Sequence, residues 1–262
     1  MSTTFDPKAH PREDPAHPDR FTELGRTDQG PNALPADGGK TANYVTDAKS
    51  GDGAVARTNG HYATAAVSGR DAAASAFGWS SVAAACGDGA ASTTYDAGSI
   101  AAVTGDLSSA SCVDDEAASI AAASGEACKA ETFGSGCAAV TTGVLTTSTT
   151  AGSWSTAVAL GDDDGAVASG SGSAAIVNGL RSVATVKGAN SFAIALGEES
   201  VARGTNGSWL VLAEWQDGRI TTVKTVQVGG VDDGVLIKPD TGYSLADGKI
   251  VEVDLDEQDD DV

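Results

Sequence analysis

Glycine recurs every nine residues along more than half of this chain. It stands at 51, 60, 69, 78 and 87. Asp96 takes the next place, followed by Gly105 and Asp114. After one unit of eleven residues the series resumes at 125 and continues through 134, 143, 152, 161, 170, 179, 188 and 197, giving 17 units in all. A fixed short period marks a chain that stacks one small structural unit on the next, and it governs every other reading.

The units can be numbered from their glycine. Position 6 is alanine in all but three units, where Ser92, Ser119 and Ser148 stand. Position 4 is Ala, Ser, Cys or Thr everywhere except Asp164. Such strict limits on size belong to a crowded interior. Charges gather at positions 2 and 3, including Asp52, Arg70, Asp71, Asp106, Asp162, Asp163, Glu198 and Glu199, which are therefore expected in turns. Positions 4 to 8 should then form a short strand, with 4, 6 and 8 inward and 5 and 7 outward. Glycine at position 1 answers either to a positive φ or to close stacking of coils.

Nine residues are too few to close a coil. Two units close one, as strand, turn, strand, turn, and alternate units then lie on opposite sheets. The outward residues sort accordingly. One set carries Thr64/Ala66, Val82/Ala84, Ile100/Ala102, Ala118/Ile120, Ala138/Val140, Thr156/Val158, Ala174/Ile176 and Phe192/Ile194, with no charged residue. The other includes Arg57, Ser75, Thr93, Ser109, Ser111, Lys129, Glu131, Thr147, Thr149, Thr185 and Arg203. The expected fold is all-β: a β-solenoid of about 18 residues per coil, two nine-residue repeats each, followed by a small C-terminal β-domain. Its length is about 40 Å at about 4.8 Å per coil.

One outer face is thus dry and the other wet. The dry face, with Val82, Ile100, Ile120, Val140, Val158, Ile176, Phe192 and Ile194, exceeds the few hundred Å² of apolar surface that monomers usually expose. It is the candidate interaction site. A homo-oligomer is expected, because symmetric pairing is the commonest way to cover such a face. Tyr62, Trp79 and Trp154 stand in turns of the same units and should border the contact.

The flanks differ in character. Residues 1–50 hold six of the seven prolines and read as a disordered arm. The solenoid occupies 51–205. In 206–255, the segments 209–215, 219–228 and 249–253 read as strands. Asp217-Gly218, Asp233-Gly234 and Asp247-Gly248 supply turns. This small β-domain should cap the last coil, whose edge is otherwise open. Residues 256–262 belong to an acidic tail that reads as solvated and disordered. The sequence opens without an apolar h-region and contains no run of about 18 apolar residues. Neither a secretory signal nor a membrane span is therefore expected, and the chain is placed in the cytoplasm on synthesis.

Most chemistry is excluded. A formal charge of −20 argues against direct nucleic-acid binding. Calcium-binding nonapeptides place an Asp in every coil, and here no Asp recurs at one strand position, since position 4 is an acid only in Asp164. The wet-face threonines are too irregular for an ice-matching lattice. Cys86, Cys112, Cys128 and Cys137 lack zinc spacing and read as small buried residues. With three scattered histidines, no nucleophile–base constellation forms. No enzyme activity, cofactor or metal is expected, and Asp162-Asp163-Asp164 reads as a solvated turn.

Residues 59–66, Asn-Gly-His-Tyr-Ala-Thr-Ala-Ala, resemble the N-T-G-x-Y-S-A-A nonapeptides of phage- and bacteria-encoded repeat proteins, whose repeats end in a small β-domain. The segments 207–212 and 237–249 match that domain, although the family carries an aromatic where Gly242 stands. The resemblance spans roughly 51–253 and implies a phage or other mobile element as the source. Residues 191–197 are also similar to head repeats of trimeric autotransporter adhesins. The start at Phe5-Asp-Pro-Lys looks like N-termini common in actinobacterial and phage proteins. The expected role is structural or adhesive, with a virion or host-surface partner. The alternative is an acidic rod that mimics DNA and inhibits a host DNA-associated protein.

Overall fold

The computed structural model describes residues 44–113 and 118–254. The disorder expected of the N-terminal arm falls largely, and that of the acidic tail wholly, outside the described residues. All regular structure among the described residues is strand.

The first nine strands are β1 Thr46–Ser50, β2 Val55–Asn59, β3 Thr64–Ser68, β4 Ala73–Phe77, β5 Val82–Cys86, β6 Ala91–Thr94, β7 Ile100–Thr104, β8 Ser109–Val113 and β9 Ile120–Ser124. The next nine are β10 Lys129–Phe133, β11 Ala138–Thr142, β12 Thr147–Thr150, β13 Thr156–Leu160, β14 Gly165–Ala168, β15 Ala174–Val177, β16 Val183–Val186, β17 Phe192–Ala195 and β18 Val201–Gly204. Odd strands pair in parallel as one sheet, even strands as another. Most residues pair with the one 18 positions on, as Ala65 with Ala83. The molecule is therefore a β-solenoid of two-strand coils, nine coils deep from β1 to β18. The ladder starts one strand before the glycine series, at β1, so Thr46–Ser50, expected to belong to the disordered arm, is instead the first strand of the solenoid.

Positions 4, 6 and 8 point inward and 5 and 7 outward, as the size limits require. Strands begin at position 5 rather than 4, because position 4 still belongs to the turn's hydrogen-bonding pattern. The eleven-residue unit is corrected by register: Ile120 pairs with Ile100 and Ala121 with Ala101. The two extra residues thus precede Ala118. Ala118 sits in the turn with φ 61, not on the outer face, and Ser119 is a position-4 residue. The inward position-6 residue of that unit is Ala121.

The glycine column exists because of coil stacking. A Cβ on Gly152 would lie 1.7 Å from the Gly134 carbonyl oxygen, and one on Gly197 1.7 Å from that of Gly179. Positive φ is not the common cause, because the position-1 glycines from 152 onward do not adopt it. The left-handed residue of each turn is position 3, filled by Tyr62, Asp71, Leu107 and Trp154 among others. Turn amides bond coil to coil, Tyr62 N–H to the Trp79 carbonyl and Asp71 N–H to that of Asp88. The backbone ladder therefore continues around the corners, which leaves few orphan polar groups.

Inside, two hydroxyl columns run along the axis. The Ser155 amide donates to Ser173 Oγ at 3.1 Å, and Ser173 Oγ donates to the Gly152 carbonyl at 3.0 Å. Ser182 and Ser200 repeat the pattern on the other side. Asp164 stands in that second column and is 2% exposed. The expectation of a solvated acidic turn fails for this residue. Its Oδ1 accepts from the Thr146 amide at 2.7 Å, while Oδ2 has no partner. Burial pushes its carboxyl pKa up from the ordinary 3.8.

The two ends are closed differently. At the C-terminal end β19 Trp209–Gln216 joins the odd sheet parallel to β17 and turns back antiparallel through β20 Arg219–Gln227. After the short β21 Val231–Asp232 and β22 Val235–Leu236, β23 Gly242–Ala246 joins the even sheet antiparallel to β18, and β24 Lys249–Val253 follows it. The cap is thus continuous with both sheets. One apolar core runs from Ala157 to Tyr243 and Ile250. Trp215 Nε1–H donates to the Leu196 carbonyl at 2.7 Å and locks the hairpin down.

At the other end, Asp47 and Lys49 occupy the inward positions matching Ala65 and Val67. The Arg57 amide donates to Asp47 Oδ2 at 3.0 Å, and Lys49 Nζ donates to the Val55 carbonyl at 2.6 Å. These are two of the groups that a strand added to the free edge of β2 would use. Inward charges that occupy an edge in this way blunt strand addition.

Candidate interaction face

The odd sheet carries the dry face in two outward columns. Position 5 runs Thr64, Val82, Ile100, Ile120, Ala138, Thr156, Ala174, Phe192 and Trp209. Position 7 runs Ala66, Ala84, Ala102, Ala122, Val140, Val158, Ile176, Ile194 and Val211. No charge stands in either. All eight residues expected on this face are there. Val82, Ile100, Ile120 and Phe192 lie in the first column, Val140, Val158, Ile176 and Ile194 in the second. Ile100, Ile120 and Phe192 are 40%, 42% and 45% exposed, high values for large apolar side chains.

Bulk is distributed unevenly between the columns. From β5 to β9 the large residue sits at position 5 beside an alanine at position 7. From β11 to β15 it sits at position 7 beside Ala or Thr at position 5. At β17 and β19 both are large. The face therefore has a ridge that crosses from one column to the other near β11, and its bulk increases toward the cap.

The opposite sheet is wet. Arg57, Arg203 and the Lys129–Glu131 pair, 2.7 Å apart, point outward among Ser and Thr. One of its features is invisible when only positions 5 and 7 are read. Position 9 lies at the end of the strand, as its last residue or just beyond it, and exposes Phe77, Tyr95, Val113 and Phe133 in one row. Phe77 and Tyr95 stack at 4.4 Å with planes 1° apart. Their spacing of one coil was available as an 18-residue signal, broken only by the two inserted residues.

The two turn edges also differ. The edge leading into the dry sheet carries Tyr62, Trp79 and Trp154, all exposed, so these aromatics do border the dry face. Tyr44 stacks on Tyr62 at 5.4 Å, and His61 meets Trp79 edge-on at 6.2 Å. The edge leading into the wet sheet carries the acids. Their carboxylates accept amides of the next coil: the Arg70 amide bonds Asp52 at 3.1 Å, that of Glu126 bonds Asp106 at 2.9 Å and that of Leu180 bonds Asp162 at 2.8 Å. Arg181 binds Asp163 through two bonds of 2.7 Å. That guanidinium holds the Asp163 carboxyl below the usual range. Similarly, the Arg70 amide and side chain hold Asp52 low.

The cysteines are buried except Cys86, and none is disulfide-bonded. Among the described residues no group of three or more His, Cys, Asp or Glu side chains is arranged to hold a metal ion, and no helix is long and apolar enough to cross a membrane. Comparison with family models, with curated proteins and with solved structures finds no match to this chain.

Proposed function

We propose that this chain is a non-enzymatic structural or adhesive β-solenoid that self-associates through its dry face. The observation that carries the reading is the absence of any charge in the two outward columns from Thr64 to Val211, in a chain of net charge −20. A charge-free apolar strip of this length marks an interaction site. Exposed Tyr62, Trp79 and Trp154 extend it along the adjoining edge, where aromatic side chains add contact area with little entropy to lose. The likeness to N-T-G-x-Y-S-A-A repeats supports a phage or other mobile element as the source, with a virion or host surface as the further partner.

The second reading, an acidic rod that occupies a host DNA-associated protein, draws on the column Asp52, Asp88, Asp106, Glu126, Asp162 and Glu198 along one edge. Hydrogen bonding of several of these carboxylates to the next coil gives them a structural task and favours the first reading. Ile100→Lys and Ile176→Lys separate the two. In light scattering the unsubstituted chain should run as a dimer or larger, and either substitution should reduce it to the mass of one chain. An unsubstituted chain that is already monomeric contradicts the proposal.

A further inference from the structure

The proposed self-association leaves its geometry open, and the shape of the dry face selects one arrangement. We infer that two copies pack dry face to dry face with their solenoid axes antiparallel, about a two-fold axis that passes through β11 and runs along the strands. The inference rests on the self-association reading and adds the register.

Face-to-face pairing of identical surfaces has two symmetric solutions. With parallel axes, position 5 of each coil meets position 7 of the same coil in the partner. The ridge then fits in mid-face, but the large Phe192 meets the large Ile194, and at the far end the small Thr64 meets the small Ala66. The cap end clashes while the first coils gape.

With antiparallel axes each column meets itself, and the coil order reverses about β11. Ala102 then faces Ile176, Ala122 faces Val158, and Val82 faces Phe192. Small meets large at every position-7 contact away from the axis. At position 5 Trp209 meets the small Thr64, Ile100 meets Ala174 and Ile120 meets Thr156, while Phe192 meets Val82, the smallest of the three larger residues from β5 to β9. In both arrangements the strands of the two faces lie along one line, the aligned packing of sheet faces, so the fit of side-chain sizes is what selects between them. Uniform filling across the interface is what close packing demands. The matched residues all belong to one chain and are four coils apart for Ala102 and Ile176, about 19 Å along the axis. Intramolecular packing therefore does not account for their size relation, and a second copy is the occupant that does.

The test uses the full chain in two variants, Ile176→Lys and Ala102→Asp. Each alone buries an unpaired charge twice in the dimer and should weaken association roughly 100-fold. Mixed in equal amounts, they should form a heterodimer. In it the new ammonium of the Ile176→Lys copy meets the new carboxylate of the Ala102→Asp copy, and the remaining contact of this pair keeps the original Ala and Ile. Light scattering should show two monomeric preparations that become dimeric on mixing. Val158→Lys with Ala122→Asp repeats the test if either first variant misfolds by circular dichroism. If the unsubstituted chain is dimeric but mixing restores nothing for a folded pair, the antiparallel arrangement is wrong while self-association stands. If the unsubstituted chain is monomeric, both fall.

Discussion

Gly152→Ala should leave the solenoid unable to fold at temperatures where the unsubstituted chain is stable. The added methyl carbon would sit 1.7 Å from the Gly134 carbonyl oxygen, 2.2 Å from its carbon and 2.9 Å from the Ser135 nitrogen. All three are backbone atoms of the coil beneath and cannot swing aside. Relief requires the coils to part, which breaks the ladder on both sheets. The cost should exceed the ~1–3 kcal/mol of ordinary overpacking. Gly136→Ala, two residues away from Gly134 in the same turn, is the control. Its φ of 72 is left-handed, but a Cβ there meets nothing within 4 Å. That change should cost about 1–2 kcal/mol. Chemical denaturation of both variants reads the difference. Equal losses would mean that conformation, not stacking, fixes the glycines.

Asp164→Ser should stabilise the protein near neutral pH by about 1–3 kcal/mol, the cost of leaving a buried polar group unpaired. Serine completes the column as Ser182 does, accepting an amide and donating to a carbonyl 21 residues back. An ionised carboxylate can only accept, and Oδ2 of Asp164 is left without a partner. The pH dependence follows from the raised carboxyl pKa. The folded chain holds this proton more tightly than the unfolded chain, whose carboxyl titrates near the ordinary 3.8. Stability from this group is therefore full below that value and is lost as pH rises through the folded value. The gain from Asp164→Ser should be small near pH 4 and largest at neutral pH. Thermal melts of both chains across that range check it. A gain that does not change with pH would mean the carboxyl titrates normally.

The fold was legible because the interior leaves so little choice. A coil of two short strands encloses only a narrow space, so Ala65, Ala83 and Ala101 recur where larger side chains cannot fit, and glycine recurs at position 1, where at Gly152 or Gly197 even a methyl would meet the backbone of the coil beneath, with Asp96 the exception among the described residues. Inward and outward columns followed from that period, and so did the dry face. Four features escaped for physical reasons. The two inserted residues before Ala118 could have been placed on either side of it, and only pairing of Ile120 with Ile100 fixes the place. The acids read as solvated, yet Asp52, Asp106 and Asp162 serve as acceptors for the coil above, a role that needs the coil geometry to be seen. Asp164 resembled its two neighbours, but it stands at position 4, whose side chains turn inward. The aromatic row of Phe77, Tyr95 and Phe133 lay in plain view at one-coil spacing, and it was missed because position 9 reads as turn.

Small-angle X-ray scattering of the unsubstituted chain tests the central claim, that a second copy covers the dry face. Pairing through this face should double the particle's thickness while its solenoid length stays near 40 Å, about nine coils at about 4.8 Å each. Ile176→Lys should return the cross-section to that of one solenoid. A single-solenoid cross-section in the unsubstituted chain at every concentration would contradict the account.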